Sequence, residues 1–178
     1  MIKNISMSQH FFPFNNYFIY ILECPKSTKY TAWIDARAVK LGCVGFSKIK
    51  SYRSSRYGSP LAKDVCKKAN SNAHLIEIFN DNQSKFLKSE KVRKQVRTHI
   101  GIDSYGHYDW IGAKLKNGVW YWQHSKKRVT YWASIGANTY GTNSRYPYGC
   151  MYLSKTSVYY HNHCGYTQYP ICQISINK

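Results

Sequence analysis

Six cysteines, at positions 24, 43, 66, 150, 164 and 172, are spread over 178 residues without a C-x-x-C pair. This constrains the fold more than any other feature. Structural zinc sites use closely spaced cysteine pairs, so the spacing argues for disulfides instead. Six paired cysteines mean three bridges and an oxidising compartment. Composition alone leaves fifteen connectivities open.

The last three cysteines share the stretch Trp110 to Cys172 with four of the five tryptophans. Trp110-Ile111-Gly112-Ala113 opens it, Trp120-Tyr121-Trp122 follows, and Trp132 stands further on. Buried aromatics are normally core, and these are read as core. After Asp109 the chain has no Asp or Glu, while residues 110–178 carry eight Lys or Arg. With a net charge of +18, the chain suits acidic partners: sulfated glycans, sialylated glycoproteins, anionic lipid or nucleic acid.

The length fits one domain, residues 23–178, behind an N-terminal extension, 1–22. In that extension Lys3 is followed by an apolar run, Phe11 to Leu22, broken by Pro13, Asn15 and Asn16. The run falls short of the about 20 apolar residues of a membrane span. Ile19 to Leu22 lack the small residues of a signal cleavage site. The extension reads as a signal peptide or weak signal anchor, or else Tyr17 to Leu22 is a strand. No other segment is long and apolar enough to cross a membrane.

Cys24 to Cys43 reads as a hairpin-like unit around Ala32-Trp33-Ile34, leading out through Cys43-Val44-Gly45-Phe46. Residues 47–58, with Lys48, Lys50, Arg53 and Arg56, read as a basic loop. Ser59-Pro60 predicts a helix start. Leu61, Ala62, Val65, Cys66 and Ala69 form its apolar stripe, so Cys66 points inward. His74 to Phe79 reads as a strand. Asp81 or Asn82 caps a second helix running to about Ile100, with Val92, Val96 and Ile100 inward and a basic exterior.

Beyond Gly101 short aromatic and β-branched runs predict strands at 110–115, 119–123, 148–153, 157–162 and 169–175. Asn117-Gly118 is a tight-turn pair. Ser134 to Pro147 is a long excursion of the kind that carries function. Helices first and antiparallel strands after argue an α+β fold.

In this order and spacing the motifs resemble the C-type lectin-like domain family across residues 24–175. The helix with Cys66, then His74-Leu75-Ile76-Glu77-Ile78, match its early part. Trp110-Ile111-Gly112-Ala113 matches its Trp-Ile-Gly-Leu strand, with Ala113 for Leu. Trp120, Trp122 and Trp132, then Cys150-Met151-Tyr152-Leu153, then Cys164 and Cys172 match the remainder. The resemblance implies two helices packed on short antiparallel sheets, a long loop region, and three disulfides: Cys66–Cys172, Cys150–Cys164 and Cys24–Cys43. By chain entropy the first contributes about 4–5 kcal/mol and each short one about 3 kcal/mol.

The family binds calcium and sugar through Glu-Pro-Asn or Gln-Pro-Asp and a later Trp-Asn-Asp. Here these positions fall near Gly136-Ala137-Asn138 and on Tyr159-Tyr160-His161, so only Asn138 could match. Calcium takes six to eight oxygen ligands, several of them charged. A lobe without carboxylates and rich in lysine repels it, so no metal and no cofactor is expected. Cys24-Pro25, Trp33-Ile34 and Ser157-Val158-Tyr159 resemble the calcium-independent branch of natural-killer-cell receptors and their poxviral relatives.

Enzyme chemistry lacks its parts: no carboxylate pair for glycoside hydrolysis, no triad acid in the β lobe, and no free thiol if all six cysteines pair. His161-x-His163 with His124 offers a zinc set, but these read first as solvent-facing histidines. Asn82-Gln83-Ser84 is a glycosylation sequon if the chain is secreted, as is Asn4-Ile5-Ser6.

The expectation is therefore a non-enzymatic, calcium-independent, lectin-like module, secreted or on the outer face of a membrane, for an acidic protein, glycoprotein or glycan ligand. Its candidate contact residues are Lys126, Lys127, Arg128, Asn138, Tyr140, Arg145 and Tyr146. A polyanion binder for sulfated glycans, or a cationic membrane-active effector using the basic helix 85–97, is the alternative. An oxidising compartment argues against nucleic acid, and membrane contact would come through the N-terminus.

Overall fold

The computed structural model describes residues 23–51, 61–102, 109–130, 148–153, 159–162, 164 and 167–175. The N-terminal extension, the excursion from Ser134 to Pro147, and Trp132 lie outside them. β1 (Thr31–Asp35) and β2 (Cys43–Ser47) form the hairpin expected between Cys24 and Cys43, joined by a 3-10 turn at Arg37–Val39. α1 (Ala62–Ala69) buries Ala62, Val65 and Cys66. Its N-cap is Leu61, without a side-chain cap; Ser59 and Pro60, expected to start it, lie outside the described residues.

β3 covers only His74–Leu75, shorter than the strand expected to Phe79. The backbone of Ile76 serves two neighbours instead. Its N–H donates to Ile171 O at 2.9 Å, and its carbonyl accepts from Gly112 N at 2.7 Å. The chain therefore crosses between strands and leaves the ladder.

The second expected helix is two. α2 (Asp81–Lys88) begins at Asn80, whose side chain accepts from Gln83 N at 3.0 Å, in place of a cap at Asp81 or Asn82. It stops at Ser89, which takes an extended conformation and caps α3 (Glu90–Ile100). The Ser89 hydroxyl donates to Phe86 O at 2.8 Å and accepts from Val92 N. A serine that satisfies both helix ends breaks what periodicity joins. Leu87, Val92, Val96 and Ile100 all face the core, so the basic stretch 85–97 has no free apolar side with which to enter a membrane.

The β lobe comprises β4 (Asp109–Lys116), β5 (Val119–Trp122), β6 (Tyr148–Leu153), β7 (Tyr159–Asn162) and β8 (Tyr169–Ile174). Among the described residues the sheet order is β1-β2-β8-β4-β6-β7, with β3 on β8 and β5 on β4. The four short antiparallel runs from β4 to β7 follow the sequence expectation, and Asn117-Gly118 turns β4 into β5 with positive φ at both residues. Gly112 is required by a close approach: a Cβ there would lie 2.9 Å from Ile76 O and 3.0 Å from Leu75 O.

All three pairings implied by the resemblance are formed: Cys24–Cys43, Cys66–Cys172 and Cys150–Cys164. Cys66–Cys172 ties α1 to β8 amid Trp33, Leu75, Trp110 and Tyr152. Trp110 is fully buried and Trp33 and Trp122 nearly so, in keeping with the core reading of the tryptophans, while Trp120 is only partly buried against the core. The result is the expected α+β architecture, with three α-helices among the described residues rather than two. Among the described residues, no helix is long and apolar enough to cross a membrane.

Candidate functional site

After β5 the chain folds back on itself. Trp122 N donates to Lys127 O at 2.8 Å, Lys126 N to Trp122 O at 3.1 Å, and Val129 N to Trp120 O at 3.0 Å. Val129 is buried and pins the end of this return. Lys126, Lys127 and Arg128 are therefore presented side by side, all exposed. Lys126 adopts the left-handed conformation (φ 61°), and its Nζ donates to Gln123 O. The Lys127 ammonium lies 5.9 Å from the centre of the Phe79 ring, itself 42% exposed. Phe79 packs in turn on Trp122. A basic segment thus borders an exposed aromatic ring, a composition suited to interfaces.

The segment is held from beneath by a buried acid. Glu77 is 3% exposed, and its Oε1 accepts from His124 N at 2.8 Å and Ser125 N at 3.0 Å. Its backbone N–H donates to Gln173 Oε1 at 3.0 Å, and Gln173 Nε2 donates to Leu41 O at 2.9 Å. Of these, the two backbone bonds to the Glu77 carboxylate are of the stronger kind. A chain of buried polar contacts so connects the β1–β2 turn, β8 and the basic segment.

His74 and His124 stack above this acid, ring centres 3.6 Å apart and planes 2° from parallel. His74 Nδ1 is 2.8 Å from Leu75 O and its Nε2 is 2.9 Å from Ser175 Oγ. A carbonyl only accepts, so Nδ1 carries a hydrogen, and in the neutral ring Nε2 then accepts from the serine hydroxyl. Burial, foremost, and the neighbouring His124 hold the His74 pKa below its ordinary value, against the opposing pull of Leu75 O and Glu77.

Of the contact residues expected from the sequence, three lie on this exposed return. Lys126, Lys127 and Arg128 come together as one segment. Asn138, Tyr140, Arg145 and Tyr146 lie outside the described residues, and so does His163. His124, considered as a zinc ligand with His161 and His163, stacks on His74 instead. Sequence reasoning missed Glu77, His74 and Gln173. The available signal was an acid between Ile76 and Ile78, where alternation in a strand gave no reason to bury it beside a backbone that needs acceptors. Among the described residues, no three His, Cys, Asp or Glu side chains are grouped to hold a metal ion.

Comparison with curated protein sequences returns no match. Solved structures do match. The carbohydrate-recognition domain of human scavenger receptor C-type lectin superposes with a TM-score of 0.57 at 18% identity, over 86% of this chain and 100% of that one. Human lithostathine gives 0.56 at 19% identity, over 86% and 100%. The C-type lectin CEL-I of Cucumaria echinata gives 0.55 at 16% identity, over 87% and 99%. At these identities the likeness establishes the fold. The family model for the Lectin C-type domain matches residues 56–174, two thirds of the sequence and the part that contains Glu77 and the basic segment, and the chain belongs to that family.

Proposed function

We propose that the chain is a calcium-independent binding module for a protein, glycoprotein or glycan ligand, acting through the basic segment 126–128 and the excursion that follows it. The observation that carries this reading is the Glu77 carboxylate bonded to the backbone of residues 124 and 125. It fixes the start of the binding segment with protein hydrogen bonds. In addition, the donor set does not suit calcium, because no Asp or Glu follows Asp109 while eight Lys or Arg do. A hard divalent cation needs charged oxygens that this lobe lacks.

C-type lectin domains are in general binding modules rather than enzymes, which agrees with the missing catalytic parts. The calcium-independent receptor-like and poxviral branch is the one this reading favours. Its basis is the Cys24–Cys43 bridge together with the missing acids. Secretion or display outside the cell suits three disulfides. Residues 126–128 give the ligand surface a positive edge, which favours acidic partners and accelerates their encounter. The test is a screen of glycans and glycoproteins with calcium and with EDTA. Binding is expected to be equal in both and to weaken at least tenfold in Lys127→Ala/Arg128→Ala. Binding that EDTA abolishes would refute the reading.

A further inference from the structure

A second basic surface lies at the opposite end of the β1–β2 hairpin. Gln83 Nε2 donates to Val39 O, so α2 and Phe79 sit near the closed end, where Asp35 faces Cys43. At the open end Thr31 faces Ser47, and just beyond it Lys48 N donates to Tyr30 O at 2.9 Å. Five paired residues, at about 3.4 Å each, separate the two ends.

There the Lys29 and Lys48 ammonium groups approach the Tyr30 ring, 5.0 and 5.7 Å from its centre. Lys50 takes the same position at 5.7 Å from the Tyr169 ring. Tyr30 is 47% exposed and Ile49 36%. Among the described residues none of these three lysines has a carboxylate partner. The backbone below is fixed. Thr28 Oγ1 accepts from Tyr30 N and Thr31 N. Ser51 and Gln168 exchange backbone hydrogen bonds, and Trp110 Nε1 donates to Ser51 O.

The Lys29 and Lys48 ammonium groups share the Tyr30 ring and repel one another, Lys50 follows two residues after Lys48, and an anion placed against them removes that cost. We infer that Lys29, Lys48 and Lys50, with Tyr30 and Tyr169, form a binding surface for a sulfated polysaccharide, separate from the 126–128 segment. Two other polyanions fit less well. A lipid surface asks an aromatic tip to lead into the membrane while lysine heads trail in water. Here the ammonium groups lie against the rings, so insertion would bury charge. Single-stranded nucleic acid asks for an open ring face on which a base can stack, and ammonium groups lie over the Tyr30 face. Sulfate esters along a flexible sugar chain need only the cations and the exposed ring edge.

The experiment measures heparin affinity of the whole disulfide-bonded chain at several salt concentrations. It compares the wild type, Lys29→Ser/Lys48→Ser/Lys50→Ser, and a triple with the same charge loss on α3, Lys91→Ser/Lys94→Ser/Arg97→Ser. The first triple is expected to lose at least tenfold in affinity and to flatten the salt slope by about 2. The α3 triple is expected to lose less than threefold. Lys29→Arg/Lys48→Arg/Lys50→Arg retains charge and is expected to bind like the wild type, while thermal unfolding of each variant guards against misfolding. Equal losses in the two serine triples would overturn the inference and assign binding to net charge. So would an absence of heparin binding by the wild type. Stronger retention by phosphatidylserine vesicles than by heparin, abolished in the first triple, would overturn it in favour of a membrane. The calcium and EDTA screen with 127/128 variants reads the other end of the hairpin, so either result can fail alone.

Discussion

The two ends of β8 bury ionisable groups in opposite ways. At its C-terminal end Gln173 faces His74, beside Glu77 and the basic segment. At its N-terminal end Tyr169 faces Asp109. Glu77 and Asp109 are nearly equally inaccessible, at 3% and 5% exposure. Glu77 is met by two backbone N–H groups. Asp109 lines a cavity with Ser47, Ile100 and Tyr169 that has room for about one water-sized molecule, and no described residue donates a hydrogen bond to its carboxyl group. Burial therefore drives the Asp109 pKa well above its ordinary value. One buried acid is met by backbone donors of residues 124 and 125, and the other has its pKa raised by burial alone.

Cutting β8 loose tests the comparison most severely. Cys66→Ala/Cys172→Ala removes the bridge between α1 and the strand, and chain entropy sets the expected loss at about 4–5 kcal/mol. Chemical denaturation would read it. A loss under about 1 kcal/mol would mean the strand is held by its ladders alone.

Next in size is Glu77→Ala. Two backbone amides lose a charged acceptor, a cost of about 1.5–3 kcal/mol. Hydrogen exchange should show the amides of His124 and Ser125 losing protection ahead of the rest of the lobe. Uniform loss of protection would deny Glu77 its local role.

Asp109→Asn is expected to act in the other direction, raising stability at neutral pH, because the amide has no charge for burial to penalise. The folded pKa lies above the unfolded one, so the native state keeps a proton that the unfolded chain releases. Stability from this site is fullest below about pH 4 and falls as pH rises towards the folded pKa. The asparagine variant should lack that decline.

His74 gives the smallest effect, with the reverse sign. Its folded pKa is lowered, so the unfolded chain binds more protons. Its contribution is complete above about pH 6.5 and is lost as pH falls towards the folded value. In His74→Gln the melting temperature should vary less between neutral and mildly acid pH. An unchanged slope would remove His74 as its source.

Much of the frame was legible because it rests on local chemistry. The Asn117-Gly118 turn, the inward Cys66, and the strands around Trp110 and Trp122 follow from residue type and period. The disulfide pairing was legible only through the family resemblance, since spacing cannot choose among partners. What escaped depends on contacts distant in the chain. Ser89 breaks a helix whose apolar period runs straight through it. Glu77 and Gln173 are 96 residues apart, and neither has a neighbour in sequence that announces the other. The lysines around Tyr30 were visible as charge, but their convergence on two rings depends on the pairing of β1 with β2 and of Ser51 with Gln168.

The proposed function requires that a buried carboxylate and protein hydrogen bonds, rather than calcium, hold residues 124–128. Thermal unfolding of the intact chain in millimolar calcium and in EDTA tests it most directly, because any ion bound to the native state alone raises the midpoint. The same midpoint in both solutions is the predicted result. A midpoint that climbs with calcium concentration would contradict it.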